Sequence, residues 1–351
     1  MKPAVSIIIP AFNAAAYLKE TVTSIQAQTM PDWEILIGDD GSTDKTAAIA
    51  EKLAENDDRI SVFRFPASGL PSVARNRLLP KAFGQYVAFQ DADDIWEPNK
   101  LEIQVGRLKG RLAWGFSNCR YFGGPDTNPD GFWYPAGWRP QKPFYPELLS
   151  TGGVPFISLI AHRDLLRRLH PDGLMEDIID TSPEIRIGED WDLELRLARL
   201  MEPIYFPEVL VRYRQHTSSI TKSSDAMFHC CLNVIEKHRQ LGADPEVCRR
   251  AGVPWLVIRG VSDQRHESLP RAATQWVNSR GDTVGKRVAA DLLRSPGLLP
   301  QMMRLGRRGS RAMHQVTSRL DTLVPRLLSL ESLPRGEVRV APLPLAPGSL
   351  P

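Results

Sequence analysis

Cysteine is scarce in this 351-residue chain, which carries only Cys119, Cys230, Cys231 and Cys248. Their spacing fits neither a metal knuckle nor a disulfide framework, which excludes the small stapled secreted scaffolds and suits a reducing compartment. Long apolar runs are also missing. No eighteen consecutive residues are apolar and uncharged, so no segment reads as a membrane-spanning helix. The opening Met1-Lys2-Pro3-Ala4-Val5-Ser6 leads straight into a strand-like segment, without the apolar stretch and cleavage site of a secretory leader. A cytoplasmic protein is expected. Nor is there an internal repeat. What is present is an uneven charge distribution: a net −5 over residues 1–224 and +8 over residues 225–351, within an overall +3. Two regions with different partners follow from that asymmetry. For the basic rear an anionic membrane surface is a stronger candidate than nucleic acid, which is not among the expected partners.

The front two thirds alternates strand and helix signals. Val5 to Ile9 is a buried-strand run that Pro10 is expected to end, and Asn13 is placed as the cap of a helix to about Gln28. Further strands are expected at 33–37, 60–65, 86–89, 113–122 and 209–216. Helices are expected at 45–55, 71–82, 98–108 and 190–200. Strands alternating with helices at this spacing predict an α/β domain with a mostly parallel central sheet flanked by helices. Residues 123–146 are rich in Gly, Pro and aromatics, and either form a substrate loop or pack on the domain. After about residue 225 the pattern becomes mainly helical, and residues 336–351 form a Pro-rich tail expected to be disordered. The expected domains are therefore 1–224, 225–335 and 336–351.

Two strands end in acids. Tyr86-Val-Ala-Phe-Gln-Asp91-Ala-Asp93-Asp94 places three carboxylates just beyond a strand, where ligands of open α/β sheets bind. Such a cluster repels itself unless a cation intervenes, and Mg²⁺ or Mn²⁺ shared with a phosphorylated ligand meets that need. The other reading is an Asp-rich turn capping a helix; for Asp94 that reading is preferred. Asp39 and Asp40 end an earlier strand at the same sheet edge, with Ser42 and Asp44 read as caps of the next helix.

The ordered set Val5-Ser-Ile-Ile-Ile-Pro-Ala-Phe-Asn13, Asp39-Asp-Gly-Ser-Thr-Asp44, Ala74-Arg-Asn76, Phe89-Gln-Asp-Ala-Asp-Asp94, Gly188-Glu-Asp-Trp-Asp-Leu193 and Tyr213-Arg-Gln-His216 strongly resembles the family 2 glycosyltransferases. It runs from residue 4 to about residue 222. The resemblance implies a GT-A, Rossmann-like fold, a nucleotide diphosphate sugar donor with uridine as the base, and Mn²⁺ or Mg²⁺ as cofactor. It assigns base recognition to Asp39, with Pro10, Ala11 and Asn13 lining the same pocket and Arg75 facing the nucleotide. Asp93 is the metal ligand, Asp91 binds metal or ribose, and His216 is a third metal or phosphate contact or else a structural residue. Asp190 is the catalytic base of an inverting transfer, kept ionised at a helix N-terminus; its alternative is a helix cap. Arg212 and Arg214 either reach the diphosphate or pair with local carboxylates, and Trp191 shapes the acceptor pocket or belongs to the core. The Gln-x-x-Arg-Trp signature of processive members is absent, which points to a single transfer onto a glycan or lipid-linked acceptor.

Residues 294–328 hold seven arginines and one acid, Asp321, with Met313, Val316, Leu320, Leu323, Val324 and Leu327 at helical spacing. That pattern fits an interfacial membrane helix, and a peripheral membrane location, or a face packed on the catalytic domain. Two other functional readings stand beside the transferase. A nucleotidyltransferase would need a Gly-rich basic phosphate loop where this chain has Pro10-Ala-Phe-Asn13. A sugar-nucleotide- or glycan-binding protein without catalysis is disfavoured by the intact Asp91, Asp93 and Asp190.

Overall fold

The β-branched runs dominate the architecture. In the computed structural model, which describes residues 2–123, 131–215, 224–245 and 247–248, with side chains omitted for 224–229, they form one eight-stranded sheet. The strands are β1 (Val5–Ala11), β2 (Trp33–Asp39), β3 (Ile60–Arg64), β4 (Tyr86–Phe89), β5 (Ile95–Trp96), β6 (Trp114–Phe122), β7 (Ile160–His162) and β8 (Ile204–Arg214). Their order is β3-β2-β1-β4-β7-β6-β8-β5. The β3-β2-β1-β4 half is parallel throughout, β7 runs antiparallel to both its neighbours, and β6 pairs with β8 in parallel. The expected mostly parallel α/β sheet is present.

The side chains of each central strand alternate between two cores, as the pleat requires. Ile7, Ile9, Ile35 and Ile37 face α1 (Leu18–Gln26) and α4 (Lys100–Leu108), whose Leu18, Val22, Ile25, Leu101 and Leu108 complete that layer. Ile8, Leu36, Val87 and Phe89 face the other way. There they meet α3 (Pro71–Leu78), α5 (Phe144–Thr151), α6 (Arg163–Arg167), α7 (Glu189–Leu200) and α8 (Ser224–Gln240) through Leu78, Leu148, Leu165, Trp191 and Val234. Thr46–Glu55 forms α2. Burial on both faces explains why β1 reads as a continuous apolar run rather than an alternating one.

Three expectations are corrected here. Pro10 does not end β1, which continues to Ala11 with Pro10 opposite Gly38. Strand β4 stops pairing where Phe89 lies beside Ile8, and the Gln90 N–H donates to the Ile8 carbonyl as the last bond on that side. Proline's missing N–H thus falls on the flank that β4 has already left, where no ladder bond is lost. The first helix begins at Leu18, not beside Asn13, because Asn13 sits at φ 48° and its side chain is engaged elsewhere. Asp94 caps no helix: β5 follows it, and α4 starts only at Lys100.

The described part of the aromatic segment packs on the domain. Tyr134 stacks on Trp138 at 3.7 Å between centroids, and both join Phe116, Phe144 and Tyr205. Residues 124–130, His216, the basic segment 294–328 and the 336–351 tail lie outside the described residues. Helix α8 begins at Ser224 and packs on α7 within one compact unit. Among the described residues no helix is long and apolar enough to cross a membrane, and Cys119, Cys230, Cys231 and Cys248 all lie in the interior.

The contact between α7 and α8 centres on Asp192, which has no solvent exposure. Its carboxylate accepts from Arg196 Nε at 2.9 Å, Lys237 Nζ at 2.8 Å and His238 Nε2 at 3.1 Å. Burial works against its charge, but these donors hold its carboxyl well below the usual carboxylate range. Burial lowers His238 as well, against the pull of Asp192. Both groups therefore take up protons more readily in the unfolded chain. The stability linked to His238 is complete above its ordinary value near pH 6.5 and is lost as the pH falls below it. The share linked to Asp192 is complete above about pH 4 and fades below that. Thermal melts across pH 3–8 should show a falling Tm over both windows, and Asp192→Asn should flatten the lower one.

Candidate functional site

The carboxyl ends of β1, β2 and β4 meet at one edge, and the loops leaving them interlock. Asn13, at the exit of β1, accepts the Thr43 N–H at 2.9 Å, and its own N–H donates to Ser42 Oγ at 3.0 Å. Ser42 therefore ties the β2 loop to the β1 loop and does not cap α2. Asp44 does cap, accepting the Thr46 N–H at 2.8 Å while also receiving the Ala15 N–H at 3.2 Å. Asp39 ends β2 beside Ala11, nearly buried, and accepts the Ser42 N–H at 3.3 Å. Asp40 turns away from this edge. It accepts from the Ser68 N–H and hydroxyl and from the Gly69 N–H, which pins the loop after β3.

The acidic loop after β4 divides into three environments. Asp91 is partly exposed, and its Oδ1 accepts from Arg75 Nη2 at 2.6 Å. Asp93 is partly exposed, and its carbonyl accepts from Arg214 Nε at 2.6 Å. Asp94 is buried, and its Oδ1 accepts the Arg214 backbone N–H at 2.6 Å. Burial, reinforced by Asp93 and Asp91, raises the Asp94 carboxyl well above its ordinary value. Asp94 is thus a clasp between the acidic loop and β8. Arg214 completes the clasp through Glu20 at 2.6 Å, with its guanidinium over the rings of Tyr17 and Phe122. Arg212 Nε pairs with Glu97 at 3.0 Å. Both arginines thus pair with local carboxylates.

Arg75 belongs to neither a helix surface nor an open pocket. It is 4% exposed, on the inner side of α3, and its second nitrogen, Nη1, donates to Glu189 Oε1 at 3.0 Å. One guanidinium therefore joins the β4 loop to the first residue of α7, 114 positions away in sequence. Its neighbour Asn76 adds a two-way bond to the Ile179 backbone, at 2.7 and 2.9 Å. The Ala74-Arg-Asn76 motif is in effect a clamp on the segment leading to α7. The sequence offered little sign of it: a buried arginine and asparagine leave no apolar stripe, and α3 buries positions on several sides.

Asp190 is the second residue of α7 and remains half-buried beside this pair. Its Oδ1 accepts the Trp191 N–H at 2.7 Å. Loss of water around the carboxyl raises its pKa, with the Trp191 N–H and Arg75 opposing that shift and Asp91 adding to it. Burial and Asp190 likewise raise Glu189, against Arg75. A carboxylate displaced upward is the stronger base. Trp191 is core: 2% exposed, with Nε1 donating to the Leu148 carbonyl at 3.0 Å.

The donor set suits a hard divalent cation. Asp91 and Asp93 supply carboxylate oxygens at the edge, and two further acceptors, Gln90 Oε1 and Asp94 Oδ2, lie buried and unpartnered close behind. Among the described residues no three His, Cys, Asp or Glu side chains form a complete cage. One or two carboxylates completed by ligand phosphates and water is the usual way Mg²⁺ is held. A shallow cleft lined by Lys2, Asp32, Phe83, His162 and Arg163 opens at the opposite end of the strands, away from all these groups. Replacing Arg75 with Met would leave Glu189 buried without its cation. The expected cost is about 3–5 kcal/mol, to be read as a lowered midpoint in urea unfolding.

A model described as glycosyl transferase family 2 matches residues 6–165, which covers β1 to the start of α6 and stops before α7. TuaG of Bacillus subtilis, a glycosyltransferase assigned to teichuronic acid biosynthesis, is 31% identical over 63% of this chain and 83% of its own length. WfgD of Escherichia coli, named as a UDP-Glc:α-D-GlcNAc-diphosphoundecaprenol β-1,3-glucosyltransferase, is 34% identical over 46% of this chain, which spans 61% of that enzyme. A Pyrobaculum calidifontis mannosyltransferase, solved with GDP-Man and Mn²⁺, superposes with a TM-score of 0.55 at 17% identity, covering 94% of this chain and 88% of that one. That last likeness speaks for the GT-A fold alone. Sequence kinship across most of TuaG, together with the family match, decides the lineage: this chain belongs to the family 2 glycosyltransferases and has relatives in bacterial cell-surface polysaccharide synthesis.

Proposed function

We propose that this enzyme is a metal-dependent, inverting transferase that moves one hexosyl or N-acetylhexosaminyl unit from a nucleotide diphosphate sugar to a hydroxyl of a glycan or lipid-linked acceptor. The observation that carries this reading is the convergence of Asp91, Asp93, Arg75, Glu189 and Asp190 at one sheet edge. Asp39 stands at that same edge, on the far side of β1 from the β4 loop.

Asp39, beside Ala11 and Pro10, accepts hydrogen bonds from the nucleobase. Uridine is the proposed base, since the name of WfgD specifies UDP-Glc. Asn13 lines the same pocket, with its Oδ1 held by the Thr43 N–H. Asp93 and Asp91 would hold the divalent cation, and His216 is a further proposed contact. A cation bound there offsets negative charge on the departing diphosphate. Arg75 orients Asp91 at the phosphate end. Asp190 takes the proton from the acceptor hydroxyl as that oxygen attacks the anomeric carbon opposite the diphosphate. Glu189 is excluded from that task by its bond to Arg75. A lipid diphosphate acceptor is supported by the wording of WfgD's name, and the basic segment 294–328 is the part proposed to meet an anionic membrane.

With a panel of nucleotide sugars and Mn²⁺, the purified chain should release nucleoside diphosphate from one or a few donors. Asp93→Ala should abolish that release. Asp190→Asn should lower transfer by about 10²- to 10⁴-fold while diphosphate binding, read by calorimetry, persists. Undiminished transfer by Asp190→Asn would remove this residue from the role of base. Full-length protein should sediment with anionic liposomes at low salt and be released at high salt. Failure to sediment ends the membrane proposal.

A further inference from the structure

Helix α8 lies beyond the stretch matched by the family model, yet it grips the segment that carries Asp190 at four points. Asn233 Nδ2 donates to the Glu184 carbonyl at 2.8 Å. Lys237 Nζ donates to Asp180 Oδ2 at 2.6 Å and reaches Asp192 Oδ1 at 2.8 Å. Val234 lies so close to Gly188, the N-cap of α7, that a Cβ added there would stand 3.1 Å from its Cγ2. His238 Nε2 meets Asp192 Oδ1 at 3.1 Å, and His238 Nδ1 meets the Tyr145 hydroxyl at 3.0 Å.

Geometry links these grips to the chemistry. Residues 190 and 192 are about 200° apart around the helix, so they occupy opposite sides of the same first turn. Asp190 faces Arg75 and Asp91, whereas Asp192 faces α8. The protonation pattern in between is determined by the partners. Asp192 is an ionised acceptor, so His238 Nε2 carries the proton, and a neutral ring then takes the Tyr145 O–H at Nδ1. Tyr145 lies on α5, so one relay of three side chains spans α5, α8 and α7.

We propose that His238 is a positioning residue for glycosyl transfer: through Asp192 it fixes the rotation of the first turn of α7 and so the reach of Asp190 toward the acceptor oxygen. This rests on Asp190 being the base. Misplacing a reacting group by about 1 Å costs up to about 10²-fold in rate. Asp39 and Asp91 sit on β2 and the β4 loop, where they are bonded to the Ser42 N–H and to Arg75 and not to the described side chains of α8. Loss of the relay therefore lowers kcat and leaves the donor KM in place.

The test compares full-length His238→Leu, His238→Gln, Tyr145→Phe and Asp190→Asn, with active sites counted by diphosphate binding. His238→Leu should lower kcat per site about 10-fold or more, with donor KM changed less than about 2-fold. His238→Gln, whose amide nitrogen can replace Nε2 as donor to Asp192, should recover most of that loss. Tyr145→Phe keeps its ring and loses only the hydroxyl, so it should fall between the two, and it stands in if His238→Leu does not fold. Should Asp190→Asn be inactive while folded His238→Leu, or in its place Tyr145→Phe, turns over at the parental kcat, the positioning role is overturned by itself. Should Asp190→Asn keep its rate, the assignment of the base fails and this inference falls with it.

Discussion

Between the β4 loop and the first turn of α7 there is a single guanidinium, that of Arg75, and it touches both. Its side chain is about 5% exposed and its two carboxylate partners come from elements a hundred residues apart. An ion in that position is costly to desolvate, and the cost is offset only if both partners stay in place with good geometry. Their separation is therefore set by the width of a planar fork, which a lysine could not reproduce. Asp91 in the acidic loop and Asp190 beside Glu189 inherit their spacing from it. The spacing between the β4 loop and the first turn of α7 depends on Arg75 more than on either element alone.

Around that centre the polar groups are used as struts. Asp94 and Arg214 lock the acidic loop to β8, Asp40 holds the loop after β3, and Asn13 joins two strand exits. Each strut ties down a loop, and Asp94 does so directly beside Asp93, which stays partly exposed. Rigidity in these neighbours lets Asp91 and Asp93 remain exposed at their tips without the loop losing its shape.

Much of this was legible in the sequence because it depends on local pattern. The apolar runs located the strands of the parallel half, and the acids at 39 and 91–94 marked the edge that matters. What stayed hidden depends on long-range pairing. Nothing near Asp94 announces that it will bond the backbone of Arg214, 120 positions later. The side-chain partners of Arg75 lie in two other motifs, each of which suggested a different role when read separately. Pro10 misled for the opposite reason. Its local rule holds, but whether a missing N–H matters depends on which neighbouring strand is still alongside, and only the sheet register tells that.

That register has one more consequence. Beside Ile8, β4 ends, while β1 runs on to Ala11 and β2 to Asp39. The sheet margin is therefore a staircase, with a step of three residues, about 10 Å at the rise of an extended chain. The step sets the exit of β4 and the carboxylate of Asp39 at different heights along the strands, so the two acidic strand ends stand apart without any break in the ladder between β1 and β2.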